Sequence, residues 1–204
     1  MPLYKNNVVF IHIPKTGGTY IEKTLNQYVV DNLFGYSNEL NAYLQHCYFS
    51  EYKHLINKTG HYNYFSIIRN PYDRLYSAYK QKFNELSDKH LVNMMESDNF
   101  KDFVMNKLEK LLSNTSEYRK YKGNIRHISK QIDFLDKNSN IVQLFLYEHI
   151  SDISDYLKKY DICATFVFNN ENESYKTHYD EEMISKIEKI YEEDIAIYNS
   201  LLQK

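Results

Sequence analysis

The amino-acid sequence predicts an α/β fold in which a central, mainly parallel sheet is flanked by helices in three layers. Three apolar segments rich in β-branched and aromatic residues, at 8–13, 64–68 and 141–147, have the composition of buried strands. Segments with the apolar spacing of helices lie between and after them. Strands that alternate with helices favour a parallel sheet.

The first strand leads into a loop suited to binding an anion. Residues 8–19 read VVFIHIPKTGGT, and Gly17 and Gly18 allow the backbone to turn closely around a ligand. We expect Thr19 to cap a helix at 20–30, whose positive end would then face the anion. This strand, loop and helix predict a P-loop-like arrangement.

The order of residues in this loop argues against an ordinary ATP or GTP site. Lys15 adds a positive charge, and the hydroxyls of Thr16 and Thr19 add hydrogen-bond donors. A Walker A loop reads GxxxxGK[ST], whereas here the Lys-Thr pair precedes the glycines and no glycine lies upstream. A small nucleotide kinase is therefore the less favoured alternative.

The middle of the chain continues the alternation of strands and helices. Residues 36–48 and 50–56 are expected to be short helical or irregular pieces. The strand at 64–68 runs into Pro71, which suits the first turn of a helix, and apolar residues recur at helical spacing over 72–83.

The second half of the chain is predicted in the same way. Helical spacing indicates helices at 100–112, 128–135, 152–160 and 180–201, the last with a long apolar stripe opposite charged residues. The polar segment 113–123 is expected to be a mobile loop, and 164–168 an edge strand.

Length and charge restrict the classes of partner. The chain has 204 residues without a repeat or a Gly/Pro/Ser-rich linker, so we expect one domain over 1–204. The net charge is −2 at pH 7, and no overall positive field indicates a nucleic acid or an anionic membrane. Any anion site must therefore be local.

Cysteine usage and hydropathy favour a soluble, cytoplasmic protein. Cys47 and Cys163 lie far apart, which fits neither a disulfide framework nor a metal-ligand cluster. The strand at residue 8 leaves no room for a signal peptide or anchor ahead of it, and no apolar run reaches about 18 residues. The sequence gives no indication of oligomeric state.

Two motifs resemble those of a known family. HIPKTGGT resembles the 5'-phosphosulfate-binding loop of the sulfotransferases, in the branch of carbohydrate sulfotransferases that act on heparan, dermatan and chondroitin chains. After the second strand, RNPYDRLYSAY resembles the 3'-phosphate motif of that family, in which an arginine and a serine, here Arg69 and Ser77, grip the phosphate. An arginine at a strand end and a serine two turns into the next helix can converge on one phosphate. Arg74 is expected to be a surface or packing residue.

The resemblance implies a donor, a product and a reaction. The donor would be 3'-phosphoadenosine 5'-phosphosulfate (PAPS), the product the bisphosphate (PAP), and the acceptor a hydroxyl, most simply of a carbohydrate, with no metal. Lys15 corresponds to the lysine that stabilises the bridging oxygen as the bond breaks. The backbone N–H groups of Thr16 to Tyr20 would hold the 5'-phosphate, within a donor-binding loop made of Pro14, Lys15, Thr16, Gly17, Gly18, Thr19 and Tyr20.

The resemblance also implies a histidine as general base. His46, in QHCYF, stands at the family's distance before the 3'-phosphate arginine, although Gln45 replaces the usual glycine and Leu44 replaces a second histidine of some members. A packing histidine is the alternative for His46. His61 is the rival base, but it directly precedes a strand and favours a turn, and His12 in the first strand is expected to be structural.

A later segment could contact the nucleotide or an anionic acceptor. Residues 126–131, RHISKQ, resemble a family segment, and Arg126, His127 or Lys130, together with His12, are candidate substrate contacts. A solvated helix face is the alternative. Glu148, after the third strand, is expected to be structural.

The sequence therefore favours a sulfotransferase that acts on a carbohydrate over two other kinds of protein. A peptide-tyrosine sulfotransferase would use the same donor site, and a catalytically silent nucleotide-binding module would keep only the fold. A lysine suited to stabilise a leaving group, together with a histidine at the distance of a base, favours an enzyme.

Overall fold

The computed structural model of the chain describes residues 2–32, 35–37, 42–56, 61–85, 97–113, 125–135, 141–167 and 175–203. Its strands are β1 (Pro2–Tyr4), β2 (Val8–Ile11), β3 (Val29–Asn32), β4 (Tyr36–Ser37), β5 (Ala42–Tyr43), β6 (Asn63–Ile68) and β7 (Val142–Leu146). Its helices are α1 (Gly18–Thr24), α2 (Phe49–Ile56), α3 (Pro71–Glu85), α4 (Phe100–Asp102), α5 (Leu108–Ser113), α6 (Asp152–Lys158), α7 (Glu181–Ile190) and α8 (Glu192–Leu202). A π-helical segment, Phe103–Lys107, joins α4 to α5.

Five strands form one mixed sheet in the order β3-β1-β2-β6-β7. The central strands β2, β6 and β7 are parallel, whereas β1 pairs antiparallel with both β2 and β3. The buried strands predicted from composition are confirmed as β2, β6 and β7. The sheet is mixed rather than purely parallel: β2, β3, β6 and β7 run in one direction, and β1, between β3 and β2, runs against them, so β1 and β3 form an antiparallel extension on one side.

The antiparallel extension explains the error in the first predicted helix. The helix expected at 20–30 ends at Thr24, and residues 29–32 form β3 instead. Val29 and Val30 are β-branched and fit a strand better than a helix. Their partner β1 has only three residues, too short to be predicted from periodicity.

Two other predicted elements also differ. Within 36–48, expected to be short helical or irregular, β4 and β5 pair antiparallel and Leu44–His46 is a short 3-10 helix, with Leu44 N–H donating to the carbonyl of Gly35 at 2.9 Å. No strand is present at 164–167, and residue 168 lies outside the described residues. There the N–H groups of Phe166 and Val167 donate to side-chain oxygens of Ser154 and Tyr20, both at 3.2 Å, instead of to a neighbouring strand.

The helices predicted after β6 and β7 are confirmed as α3 and α6. The short piece expected at 50–56 is confirmed as α2. The helix predicted at 100–112 is present as α4 and α5, joined by the π-helical segment. Residue 113 ends α5 rather than beginning a loop, and the rest of the predicted loop at 113–123 lies outside the described residues. The helix predicted at 128–135 is reduced to a 3-10 turn, Ile132–Leu135.

The C-terminal helix predicted at 180–201 is two helices, α7 and α8, which meet at Tyr191. The break brings Tyr191 and Asp194 into the interior, where both are almost fully buried. Tyr191 OH donates to the carbonyl of Ile128 at 2.5 Å. Asp194 accepts from the N–H groups of Gln131 at 2.7 Å and Ile132 at 2.9 Å, which removes those donors from any helix.

The core lies on both faces of the sheet. Val9 and Ile11 of β2 pack with residues of α2 and α8, whereas Val8 and Phe10 pack with residues of α1 and α6. Helices therefore cover both faces, as the three-layer prediction expects. A third apolar cluster joins α3, α7 and the segment from α4 to α5. In the described part of the chain, no helix is both long and apolar enough to cross a membrane.

Asp194 provides a test of how the C-terminal helices are held. We expect Asp194→Asn to lower the free energy of unfolding by about 1–3 kcal/mol, because an amide offers one acceptor oxygen to two buried N–H groups. Urea unfolding would measure the change. Glu193→Gln, at the exposed neighbouring position that pairs with Lys130, should change it by less than about 0.5 kcal/mol. Equal losses in the two variants would contradict this assignment.

Candidate functional site

The candidate site lies at the carboxyl ends of the three parallel strands. The loop from His12 to Gly17 follows β2, Arg69 follows β6, and Tyr147 follows β7. Because these strands are parallel neighbours, the residues after them meet at one edge of the sheet. His61 precedes β6 and is exposed at the opposite edge, about 20 Å away along a six-residue strand.

Two buried arginines fix the backbone of the loop. Arg74 Nε donates to the carbonyl of Pro14 at 2.9 Å, and Arg69 Nη1 donates to the carbonyl of Lys15 at 2.8 Å. Lys15 has a φ of 69°, in the left-handed region that costs a non-glycine residue roughly 1–2 kcal/mol. In a trans peptide the C=O and the following N–H point in opposite directions, so the N–H groups of Lys15 and Thr16 face away from these arginines.

Both loop glycines are required by close neighbours. Gly17 has a φ of 81°, and a Cβ there would lie 2.9 Å from Cε2 of Tyr147. A Cβ on Gly18 would lie 2.1 Å from Cδ2 and Nε2 of His12. The loop thus closes tightly on the residues that flank it.

The other loop residues differ from expectation in two respects. Gly17, not Thr19, is the N-cap of α1, and Thr19 is exposed within the helix. The N–H of Tyr20 donates to the carbonyl of Gly17 at 2.9 Å, so it serves the first helical turn rather than a ligand. The hydroxyl of Thr16 is buried and donates to the carbonyl of Ile13 at 2.8 Å.

Arg69 is held from several directions. Its Nε donates to Asp73 at 2.8 Å, and its guanidinium carbon lies 4.5 Å from the ring centroid of Tyr147. The side-chain amide of Gln131 bonds the Arg69 backbone twice, accepting from its N–H at 3.0 Å and donating to its carbonyl at 2.9 Å. Among the described residues, no acceptor is bonded to Nη2 of Arg69.

One face of α3 brings the predicted donor-site residues together. Asp73, Ser77 and Gln81 are spaced four residues apart, so they share that face. Arg69 contacts Asp73 at one end, and Lys15 Nζ donates to Oε1 of Gln81 at the other. Ser77 lies between them, half-buried, and its hydroxyl bonds none of the described residues.

His46 has the geometry of a neutral imidazole with one bare nitrogen. Its Nδ1 lies 3.2 Å from the carbonyl of His12, which can only accept, so Nδ1 carries the proton and Nε2 does not. Burial holds the pKa of His46 well below its usual value, and the neighbouring His12, His127 and Arg126 lower it further. The ring centroids of His12 and His127 lie 4.4 and 5.2 Å from that of His46.

Arg126 is a buried residue that supports His46. Its Nη1 donates to the carbonyl of His46 at 2.6 Å, and its Nη2 contacts both carboxylate oxygens of Glu51 at 2.7 and 2.8 Å. Its guanidinium also lies over the ring of Tyr48. Arg126 is 1% exposed, so it does not lie on a solvated helix face, and its guanidinium contacts the loop that carries His46.

The other candidate substrate contacts fall in different places. His127 is half-buried beside His46. Lys130 forms an ion pair with Glu193 of α8 at 3.1 Å. Glu148 accepts from Tyr198 OH at 3.0 Å, which agrees with the structural role expected for it. In the ranges that the structure describes, no group of His, Cys, Asp or Glu side chains could hold a metal ion.

Sequence reasoning missed Glu22, Gln81 and Gln131, which hold the predicted site residues. Glu22 is buried and lies 2.8 Å from Nδ1 of His12. The signal for Glu22 was present in the sequence: an acidic residue directly after Ile21, on the inward face of α1, needs a buried partner. Gln131 ends the RHISKQ segment that resembles a family segment, but neither it nor Gln81 carries a signal for its partner, because glutamine is common on exposed surfaces.

Comparison with known proteins identifies a family. A model described as the sulfotransferase family matches residues 4–199 of the chain. No curated protein matches it, and no solved structure does.

The lowered pKa of His46 predicts how stability depends on pH. In the unfolded chain the imidazole titrates near 6.5, whereas the folded protein keeps it neutral to lower pH. Between these two pKa values the unfolded state binds the extra proton, so stability falls as pH falls, by up to about 1.4 kcal/mol per pH unit. His46→Asn should therefore show a shallower loss of stability from about pH 7 to 5 than the native protein.

Denaturant unfolding at a series of pH values would measure this difference. His149→Asn is the matched control, because His149 is exposed. Its curve should run parallel to that of the native protein. A parallel curve for His46→Asn as well would contradict the lowered pKa.

Proposed function

The chain belongs to the sulfotransferase family, and on that premise we propose that it transfers a sulfuryl group from PAPS to a hydroxyl of a carbohydrate acceptor. The observation that carries this proposal is a shared backbone segment. The His12 carbonyl that binds His46 Nδ1 lies three residues before Lys15, so one loop holds both the candidate base and the candidate leaving-group lysine.

The loop has features that fit the phosphosulfate of a donor. When bound, PAPS supplies a sulfuryl group activated by its anhydride bond to phosphate. The residues proposed to hold the 5'-phosphate form the donor cradle, which we define as Lys15, Thr16, Gly17, Gly18 and Thr19. Two observations support this. Close neighbours leave no room for a side chain at Gly17 or Gly18, and the N–H groups of Lys15 and Thr16 face away from the buried arginines.

Arg69 and Ser77 are proposed to hold the 3'-phosphate. Neither Nη2 of Arg69 nor the hydroxyl of Ser77 bonds another described residue. Asp73, which accepts from Nε of Arg69, lies on the same face of α3 as Ser77, so Arg69 and Ser77 are held near each other. A guanidinium and a hydroxyl are typical ligands of a phosphate dianion.

His46 is proposed to accept the proton of the acceptor hydroxyl. Its Nε2 is the bare nitrogen, and its lowered pKa keeps that nitrogen unprotonated at neutral pH. The bond from Nδ1 to the His12 carbonyl fixes the ring while Nε2 takes up the proton.

Lys15 is proposed to stabilise charge on the leaving phosphate. Its Nζ donates to the Gln81 amide oxygen, which orients the ammonium group. The proposal of a carbohydrate acceptor is supported by the resemblance of HIPKTGGT to the carbohydrate branch. The proposal of a cytoplasmic location is supported by Cys47 and Cys163, which are both free thiols, as is usual in a reducing compartment. A peptide tyrosine is the alternative acceptor.

Substitution of the two proposed catalytic residues tests the reaction. We expect Lys15→Ala and His46→Asn each to lower kcat by about 10²–10⁴-fold, the usual contribution of a positioned acid, base or charge. The measurement is transfer of radiolabelled sulfate from PAPS to a panel of polysaccharides, glycolipids and tyrosine peptides. Lys158→Ala, in an exposed ion pair with Asp155, is the control and should keep full activity. Full activity of Lys15→Ala would refute the mechanism.

Binding of two nucleotides tests the 3'-phosphate site separately. Ser77→Ala should weaken binding of PAP about tenfold, because it removes one hydrogen bond to a charged group. Binding of adenosine 5'-phosphate, which lacks the 3'-phosphate, should change less than about twofold. Calorimetry would measure both. Equal weakening of the two nucleotides would show that Ser77 does not contact the 3'-phosphate.

A further inference from the structure

Glu22 is a buried acid that the proposed reaction does not use. It lies on α1, four residues after Gly18, and is 8% exposed. Its Oε1 lies 2.8 Å from Nδ1 of His12, and its Oε2 lies 3.3 Å from Nε2 of Gln45. A buried carboxylate with two partners of this kind needs an explanation, because burial of a charge is costly unless its partners are well placed.

Both partners of Glu22 adjoin His46. Gln45 directly precedes His46 in the chain. The carbonyl of His12 accepts from His46 Nδ1 at 3.2 Å, and the two imidazoles meet edge to face with centroids 4.4 Å apart. The Glu22 carboxylate therefore acts on His46 indirectly along two routes: through the ring of His12, and through Gln45, the residue that precedes His46.

His12 has little freedom to move away from Glu22. Its ring stacks on Phe10, with centroids 5.5 Å apart, and it fills the space where a side chain on Gly18 would lie. Since a carboxylate only accepts hydrogen bonds, His12 must present a protonated Nδ1 and Gln45 must present its amide N–H. The orientation of both neighbours is thereby set by one group.

We propose that Glu22 is a positioning residue that holds His46 in the orientation and tautomer that leave Nε2 bare. The inference rests on the proposed role of His46 as the base. Glu22 also belongs to the helix that follows the donor loop, and the His12 ring lies between that loop and His46. The same short helix thus supports the donor cradle at its first residue and the base one turn later.

Kinetics of two variants separate positioning from charge. Glu22→Leu fills the space but accepts no hydrogen bond, and we expect a fall in kcat of about 10–100-fold with KM for the donor changed less than about threefold. Glu22→Gln can keep both hydrogen bonds if the Gln45 amide turns over, so kcat should stay within about fivefold of the native value. Asp155→Asn, an exposed acid in an ion pair, is the control expected to keep native rates.

Ring-nitrogen NMR at about pH 7.5 gives a readout independent of activity. In the native protein, Nδ1 of both His12 and His46 should carry a proton, and Nε2 of His46 should not. In Glu22→Gln the His46 ring signals should shift. A native His46 protonated at Nε2 would overturn the inference.

The outcomes distinguish this inference from the proposed function. If His46→Asn remains active, the role of His46 as base fails, whatever the Glu22 variants do. If His46→Asn is inactive while Glu22→Leu is fully active, only the inference about Glu22 fails. Should Glu22→Leu not fold, Glu22→Gln decides: shifted His46 ring signals with kcat within about fivefold of the native value support the inference, and unchanged ring signals overturn it.

Discussion

The site depends on the burial of Arg74. Arg74 is 2% exposed, and its guanidinium donates to three backbone carbonyls, those of Pro14 at 2.9 Å, Ser129 at 2.8 Å and Arg126 at 3.4 Å. Burial lowers the pKa of Arg74, and the nearby charge of Asp194 opposes that shift. The planar guanidinium thus joins the loop after β2 to the segment 126–129, which share no sheet or helix.

The segment at 125–135 joins the parts of the site. It supplies Arg126, which holds the carbonyl of His46, and Gln131, which holds the backbone of Arg69. Its own backbone is held by Tyr191 and Asp194 at the junction of α7 and α8. The break between α7 and α8 thus places the hydroxyl of Tyr191 and the carboxylate of Asp194 within hydrogen-bond distance of this segment. A single straight helix on the surface would not do so.

Sequence patterns predicted the parts of the fold that are set by burial of apolar surface. β2, β6 and β7 are short apolar runs, and α3 has a regular helical stripe, so each was predicted within about two residues. β3 was missed because its pairing with β1 is a tertiary contact that local propensity does not contain.

The candidate site was predicted unevenly for a related reason. Lys15, Arg69 and Ser77 could be named from motifs, and the structure brings them to one face of α3. The role of Arg126 could not be predicted, because an arginine that binds a substrate and an arginine that binds its own backbone look alike in a sequence. The contacts of Arg126 with the carbonyl of His46 and with Glu51, 75 residues away in the chain, distinguish the two.

Charge at this edge of the sheet is balanced within the protein rather than left to the ligand. Arg69 faces Asp73, Arg126 faces Glu51, and Arg74 lies near Asp194. Paired in this way, the arginines serve chiefly as rigid donors that shape the loops. Lys15 Nζ, in the same region, donates to the side-chain amide oxygen of Gln81. Although the chain carries a net charge of −2, basic residues therefore gather at this one edge of the sheet, where the anionic donor is proposed to bind.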